Sequence, residues 1–391
     1  MRISDRMNNM KPSAVREILK ASADISFSAG NPSAETFPAG ELAALARDIF
    51  QNDYAEALQY GISEGYGPLR ELTQARMRDK YGIGSDQDDI IITSGGQQGI
   101  DLAIKCLTNE GDAVICENPS FIGALNDFRS NATRLIGIPV TGEGMDLDRL
   151  EQALKTEKNI KMIYTIPTFQ NPTGVTMPLE RRKRLYELAV RHDVMIVEDD
   201  PYSELRYSGE RVPAIKTLDE TDHVLYVGSY SKVIAPGIRV GYAIGPRELL
   251  AKMTVAKQCQ DVHTNLFFMI LVARYVEQCA FDEHIAECCR LYRVKRDRML
   301  AVLDEKLDSR MTYTRPDGGL FIWGELPEGY SGTELCTYTA ARSVAMVPGT
   351  AFDVTESPLS RGFRLNFSVP SLEQIDKGIT LLSESIDDYL K

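Results

Sequence analysis

The sequence predicts an α/β protein: a mostly parallel, seven-stranded sheet between helices, followed by a smaller α+β unit. Three observations carry that expectation. Between Asp88 and Gly245, seven short apolar runs alternate with stretches of helical length. Strands separated by such helices pair in parallel and are covered on both faces. After Gly245 the pattern becomes a long helical region and then isolated strand-like pieces.

The seven runs are Ile90–Ile92, Ala113–Cys116, Thr133–Ile138, Met162–Ile166, Val194–Val197, Val224–Val227 and Val240–Ile244. Helices are expected over Gln97–Leu107, Phe121–Ser130, Asp148–Lys155 and Pro178–His192. Several more helices fit Arg247 to Asp304, leading into strand-like Met311–Thr314, Gly319–Trp323 and Phe363–Phe367. A helix over Ser371–Leu390 closes the chain. The opening stretch carries Pro32 and Pro38 and little periodicity beyond Ala14–Ala21, so it reads as an arm. At 391 residues the chain is too long for one simple core. The expected division is an N-terminal arm and helix (1–45) packing with the small domain, a large domain (46–285) and a small C-terminal α+β domain (286–391).

Hydrophobic content of 43% and charged content of 26% are ordinary for a soluble globular protein. A formal charge of −12 argues against a nucleic-acid partner. The basic run Arg181-Arg182-Lys183-Arg184 lies inside an amphipathic stretch and reads as a solvated helix face. Seven cysteines, an odd count without a Cys-x-x-Cys pair, suggest neither disulfides nor zinc and fit a reducing cytoplasm. Four histidines in no metal-ligand spacing point to no metal site. Met1 to Lys20 is polar, so no signal peptide is expected, and no apolar run approaches membrane-spanning length.

Five motifs carry chemistry, most of them at expected strand ends, where active sites of parallel sheets collect. Ser229-Tyr230-Ser231-Lys232, with Pro236, Gly237, Arg239 and Gly241 downstream, sets one lysine between two buried runs. A lysine desolvated at the mouth of a sheet favours its neutral, nucleophilic form and can make a Schiff base, for which pyridoxal phosphate is the best-known partner. Ser229, Ser231 and Arg239 offer phosphate ligands. Ser94-Gly95-Gly96-Gln97 is a strand-to-helix turn whose N–H groups suit an anion, though a plain turn fits equally. Asn171-Pro172-Thr173-Gly174 is either a turn or a side-chain donor to a ligand oxygen. Glu198-Asp199-Asp200-Pro201-Tyr202 puts carboxylates at the end of a buried strand, where they require partners. Arg364, inside the apolar Phe363–Phe367, is either a carboxylate receptor or half of an ion pair.

Taken together, in this order, the motifs resemble those of the class I/II aminotransferases, pyridoxal-phosphate enzymes of fold type I, over nearly the whole chain. Met10 to Leu19 and Ala57-Leu58-Gln59-Tyr60 are similar to the branch holding 2-aminoadipate, kynurenine and aromatic or branched-chain aminotransferases. The resemblance implies that Lys232 carries the cofactor and is the acid/base, and that Asp199 pairs with the pyridine nitrogen. Asn171 and Tyr202 would meet the phenolic oxygen, and Gly96, Gln97, Ser229, Ser231 and Arg239 the phosphate. Arg364 would take the substrate carboxylate, with Asn171, Gly30 and Arg16 also at the substrate. Tyr60 would reach the phosphate of a partner subunit, which implies a homodimer.

Two positions depart from the family pattern. Phe121 stands where a tyrosine usually stacks on the ring, and Gly96 where a serine often binds phosphate. Neither removes a group that transamination needs. The implied reaction is ping-pong transfer from an L-amino acid (aromatic, leucine-like, or 2-aminoadipate or glutamate) to a 2-oxo acid such as 2-oxoglutarate. A β-lyase on the same scaffold is the alternative. A ligand-sensing regulator domain is a remote one, since no basic helix-turn-helix precedes Met10.

Overall fold

Short runs of Val, Ile and Ala become the central strands because both faces of the sheet are covered, leaving no position for polar alternation. The structure, a computed structural model, describes Met7 and residues 23–307, 310–355, 357 and 359–391. A two-residue strand, β1 (Ile25–Ser26), comes first. The main sheet follows with β2 (Asp88–Thr93), β3 (Ala113–Asn118), β4 (Arg134–Thr141) and β5 (Gly144–Met145). It is completed by β6 (Ile160–Thr165), β7 (Met195–Asp200), β8 (Val224–Ser229) and β9 (Gly241–Pro246). The strand order is β2-β9-β8-β7-β6-β3-β4-β5.

The β4-β3, β3-β6, β6-β7 and β7-β8 pairs are parallel, whereas β9 runs antiparallel to both β8 and β2. All seven expected strands form, but the sheet has eight. The addition, β5, folds back antiparallel on the end of β4, and two residues are too few to show as an apolar run. Alternate residues of each inner strand feed two cores. Ile115, Ile163, Ile196 and Val224 pack with the helices Leu147–Thr156 and Leu179–His192. Val114, Met162, Val197 and Leu225 face the larger core, which takes in the helix Gly96–Leu107.

The basic run is not wholly a solvated face. Arg182 is 1% exposed and donates to the carbonyls of Met177, Pro213 and Pro167 and to Thr168 Oγ1. Its position on the helix turns it inward, and five donors on one planar group are what such a buried loop junction can use.

The helical region resolves into Arg247–Gln258, Leu266–Gln278 and Phe281–Leu307. Beyond it come β10 (Thr312–Tyr313), β11 (Phe321–Glu325), β12 (Val344–Ala345), β13 (Val347–Pro348) and β14 (Gly362–Asn366). A second sheet runs β10-β11-β14-β13, antiparallel throughout. β1 pairs with β12, which fastens the start of the described chain to this C-terminal part. The final helix, Leu372–Tyr389, begins with a capping box between Ser371 and Gln374. Among the described residues no helix is long and apolar enough to cross a membrane.

Candidate active site

The strands β2, β3, β6, β7 and β8 all end at one edge of the sheet, and a cavity of about 390 Å³ opens there, walled on the far side by β14 and the Gly30 segment. Lys232 lies at its base, in the turn directly after β8. Its Nζ donates to the Gly30 carbonyl at 2.8 Å. Burial, with the guanidiniums of Arg364 and Arg239 nearby, pulls its pKa down to about 8. Roughly a tenth of such a lysine is neutral at pH 7, far more than for a solvated one.

Three adjacent carboxylates end β7, and the fold separates their tasks. Glu198 accepts the N–H groups of Ile215 and Lys216, both at 2.8 Å. Asp200 accepts from Tyr226 Oη and Ser203 N, each at 3.0 Å. Asp199 alone of the three lines the cavity that holds Lys232. The Tyr164 hydroxyl donates to Asp199 Oδ2 at 2.6 Å. Burial pushes the Asp199 carboxyl up to about 7, opposed by that hydrogen bond. A cation placed against it would restore full ionisation.

One end of the cavity is built for an oxyanion group. The helix Gly96–Leu107 starts there, and its first N–H groups have no intrahelical acceptor. Gly95 has φ of +85°, and a Cβ on it would fall 2.3 Å from Arg239 Nη2. Glycine thus lets the guanidinium close on the turn, where Arg239 donates to the Ser94 carbonyl at 3.0 Å. Ser229 and Ser231 share a hydrogen bond of 2.9 Å beside it. The Gln97 side chain turns away to Asp127, leaving its backbone for the cavity. Phe121 lines the wall in front of the helix Ile122–Ser130.

Arg364 guards the opposite end. It is 3% exposed, on β14. Nη1 donates to Asn171 Oδ1 at 3.0 Å and Nη2 to the Ser28 carbonyl at 2.9 Å. The guanidinium lies 4.2 Å from the Phe321 ring centroid. Among the described residues its hydrogen-bond partners are neutral and its Nε has no partner, and burial draws its pKa down to about 10. A buried guanidinium without a carboxylate is a receptor for one. Tyr202 stands by, within reach of Asn171 and edge-on to Phe321. Gly30 borders the guanidinium, where a Cβ would be in van der Waals contact at 3.8 Å from Arg364 Nη2.

Twelve of the site residues expected from the sequence therefore meet in or around one cavity: Gly30, Gly96, Gln97, Phe121, Asn171, Asp199, Tyr202, Ser229, Ser231, Lys232, Arg239 and Arg364. Two do not. Tyr60 is 81% exposed and packs edge-on to His263, away from the cavity. Arg16 lies outside the described residues. Sequence reasoning missed Tyr164, which read as one more apolar member of its run. It also missed the Ser28 carbonyl, since backbone groups leave no signature. A tyrosine inside an otherwise aliphatic buried strand is the signal that was available, because its hydroxyl needs a partner.

Three cations and one carboxylate thus converge, with an orphaned guanidinium nitrogen and a glycine cradle. This donor set fits a phosphate at one end, a ring nitrogen cation at Asp199 and a substrate carboxylate at Arg364, with Lys232 placed to hold a carbonyl carbon. Residues 22–382 match the family model for class I and II aminotransferases. Aromatic-amino-acid aminotransferase 1 of Thermococcus litoralis is 41% identical over 395 residues, covering 99% of this chain and 94% of its own. The 2-aminoadipate transaminase of Thermus thermophilus is 37% identical, covering 97% of this chain and 95% of its own. The crystal structure of Pyrococcus horikoshii kynurenine aminotransferase, in complex with PMP, matches with a TM-score of 0.96 at 40% identity, over 100% of this chain and 98% of that one. This chain belongs to the class I and II aminotransferases, and it is a pyridoxal-phosphate-dependent enzyme that moves an amino group from an amino acid to a 2-oxo acid.

Proposed function

We propose that the enzyme takes aromatic or leucine-like L-amino acids as donors and 2-oxoglutarate as acceptor, working as a homodimer in the cytoplasm. The observation that carries the donor class is the cavity wall. Ile100, Ile122, Ile166 and Phe121 line it, and its three described cations are Lys232, Arg239 and Arg364. Once phosphate and α-carboxylate are met, no described cation is left for an acidic side chain, so 2-aminoadipate or glutamate would depend on Arg16. Two of the relatives are named for aromatic and kynurenine donors, within the proposed class, and one for the acidic 2-aminoadipate.

When bound, pyridoxal phosphate supplies an electrophilic carbon for the amino group and a cationic ring that draws electrons from the Cα–H bond. Lys232 Nζ would hold that carbon and would take the proton at the substrate Cα; its lowered pKa favours the neutral amine. Asp199 keeps the ring nitrogen protonated, and Tyr164 keeps Asp199 aimed. Asn171 and Tyr202 would meet the ring oxygen, and Phe121 would offer its ring as a stacking surface. The N–H groups of Gly96 and Gln97, the hydroxyls of Ser229 and Ser231 and the Arg239 guanidinium hold the phosphate. Arg364 would bind the substrate α-carboxylate and so orient the Cα–H bond toward Lys232.

Tyr60 is proposed to serve a partner subunit's phosphate. It stands in an exposed apolar group with Tyr54, Leu58 and Ile62, each more than half exposed, a surface that a second copy of the chain would cover. The large domain is taken as 46–285 and the small one as 286–391, with the helix Phe281–Leu307 running through the junction. Seven free cysteines are consistent with a reducing compartment.

A panel of amino donors against 2-oxoglutarate tests the assignment, with aromatic and leucine-like donors expected to lead. Turnover confined to acidic donors would refute the donor class. The purified protein should be yellow, and Lys232→Ala should abolish the visible band.

A further inference from the structure

One buried carboxylate beside the cavity has no part in the roles above. Glu117, next to last in β3, is 1% exposed, and no cation pairs with it among the described residues. Its Oε1 accepts from Thr165 Oγ1 at 2.6 Å. Its Oε2 accepts from Ile166 N and Gln170 Nε2, both at 3.2 Å. Burial pushes the carboxyl up to about 7 against these three donors. A carboxylate kept here costs stability that an apolar residue would not.

Gln170 extends the arrangement. Its Nε2 also donates to the Pro119 carbonyl at 2.9 Å. Its Oε1 accepts from Thr173 N at 2.8 Å and Thr173 Oγ1 at 2.7 Å. Both amide hydrogens and both oxygen lone pairs are thereby used, in a side chain 1% exposed. Pro119 stands two residues before Phe121, and Gln170 stands directly before Asn171. Asn171 in turn receives Arg364 Nη1.

We propose that Glu117 and Gln170 form a positioning unit that fixes Phe121 and Asn171 relative to each other across the cofactor cavity. Neither touches the reacting atoms. The unit ties the end of β3 to the loop after β6, so that the stacking ring and the amide keep one separation, and Arg364 inherits its place from Asn171. The inference rests on the reading of Phe121 and Asn171 as ring contacts.

The test uses the full chain, stripped of cofactor and titrated with pyridoxal phosphate. Three quantities are read: the dissociation constant, the pH midpoint of the visible band once loaded, and Tm. Gln170→Leu should raise the dissociation constant roughly tenfold, the equivalent of one lost ring contact, and shift the midpoint. Glu117→Ala should do the same. Glu117→Gln should restore most of the affinity, because its amide oxygen can accept from Ile166 and Gln170 while its nitrogen donates to the Thr165 hydroxyl. Leu185→Ala, in the smaller core between the sheet and the helix Leu179–His192, should lower Tm without moving the dissociation constant.

Wild-type affinity and midpoint in Gln170→Leu would overturn the inference alone. So would an equal loss of affinity in Leu185→Ala at matched Tm. Wild-type protein that takes up no pyridoxal phosphate would overturn the underlying reading as well.

Discussion

Replacing Tyr164 by Phe removes one oxygen from the centre of the site and leaves the ring in its buried place. The Tyr164 hydroxyl donates to Asp199 Oδ2 at 2.6 Å, with the tyrosine 0% and the aspartate 5% exposed. A hydrogen bond to a charged group in such a position contributes roughly 1.5–3 kcal/mol, which corresponds to about one to two pKa units on the carboxyl. The sign follows from which form the bond favours. Tyr164 stabilises the carboxylate, so its loss raises the Asp199 pKa, already lifted to about 7 by burial in the cofactor-free site. Catalysis needs the carboxylate against the ring nitrogen, so the acid limb of kcat/KM should move up by about one unit. Below that limb the rate should fall about tenfold relative to wild type. The assay is a pH–rate profile of both proteins, with Tm and the visible band as controls for folding and loading. An unmoved acid limb in a folded, loaded variant would refute the assignment of Asp199 as the ring partner sustained by Tyr164.

Three further outcomes are expected. Arg364→Met should lower kcat/KM by roughly a hundredfold or more, mostly through KM, yet leave Tm within a few degrees, because the buried guanidinium has no carboxylate partner among the described residues to lose; a collapse of Tm would mark the arginine as structural. Gly95→Ala should weaken pyridoxal phosphate binding about tenfold, since φ of +85° costs an alanine roughly 1–2 kcal/mol and its Cβ would displace Arg239; unchanged affinity in titration would show that the turn and Arg239 do not bind the phosphate.

The third concerns pH and cofactor removal. Asp199, held up to about 7, binds its proton more tightly folded than unfolded. Its contribution to stability is therefore lost as pH rises from about 4 through about 7. Cofactor-free protein should lose Tm over that window more steeply than cofactor-free Asp199→Asn, and loaded protein less steeply, since the ring nitrogen gives the carboxylate a cation. The other carboxyls raised by burial, Glu117, Asp127 and Glu198, titrate in every sample and cancel. Parallel curves would refute the account.

Much of this is legible in the sequence alone. The seven apolar runs all became strands, because each needs only a handful of consecutive residues to declare itself. β5 escaped for the same reason, being two residues long. The turn after β8 was readable from Ser229 to Gly241, and it is where Lys232 sits. The basic run misled because periodicity ranks faces and says nothing of a single side chain, Arg182, turned into a loop junction.

Local pattern and composition carry the order of elements, the residue types available for chemistry and the family. Long-range packing sets which of three neighbouring carboxylates faces the cavity, that Arg364 has no carboxylate among the described residues, and how far burial lowers the pKa of Lys232. The reason is range. A strand or a turn is set by residues a few positions apart, whereas Lys232 meets Gly30 across 202 positions and Arg364 meets Asn171 across 193. Strand order and domain packing make those meetings, and desolvation, which sets each group's charge, exists only once they are made.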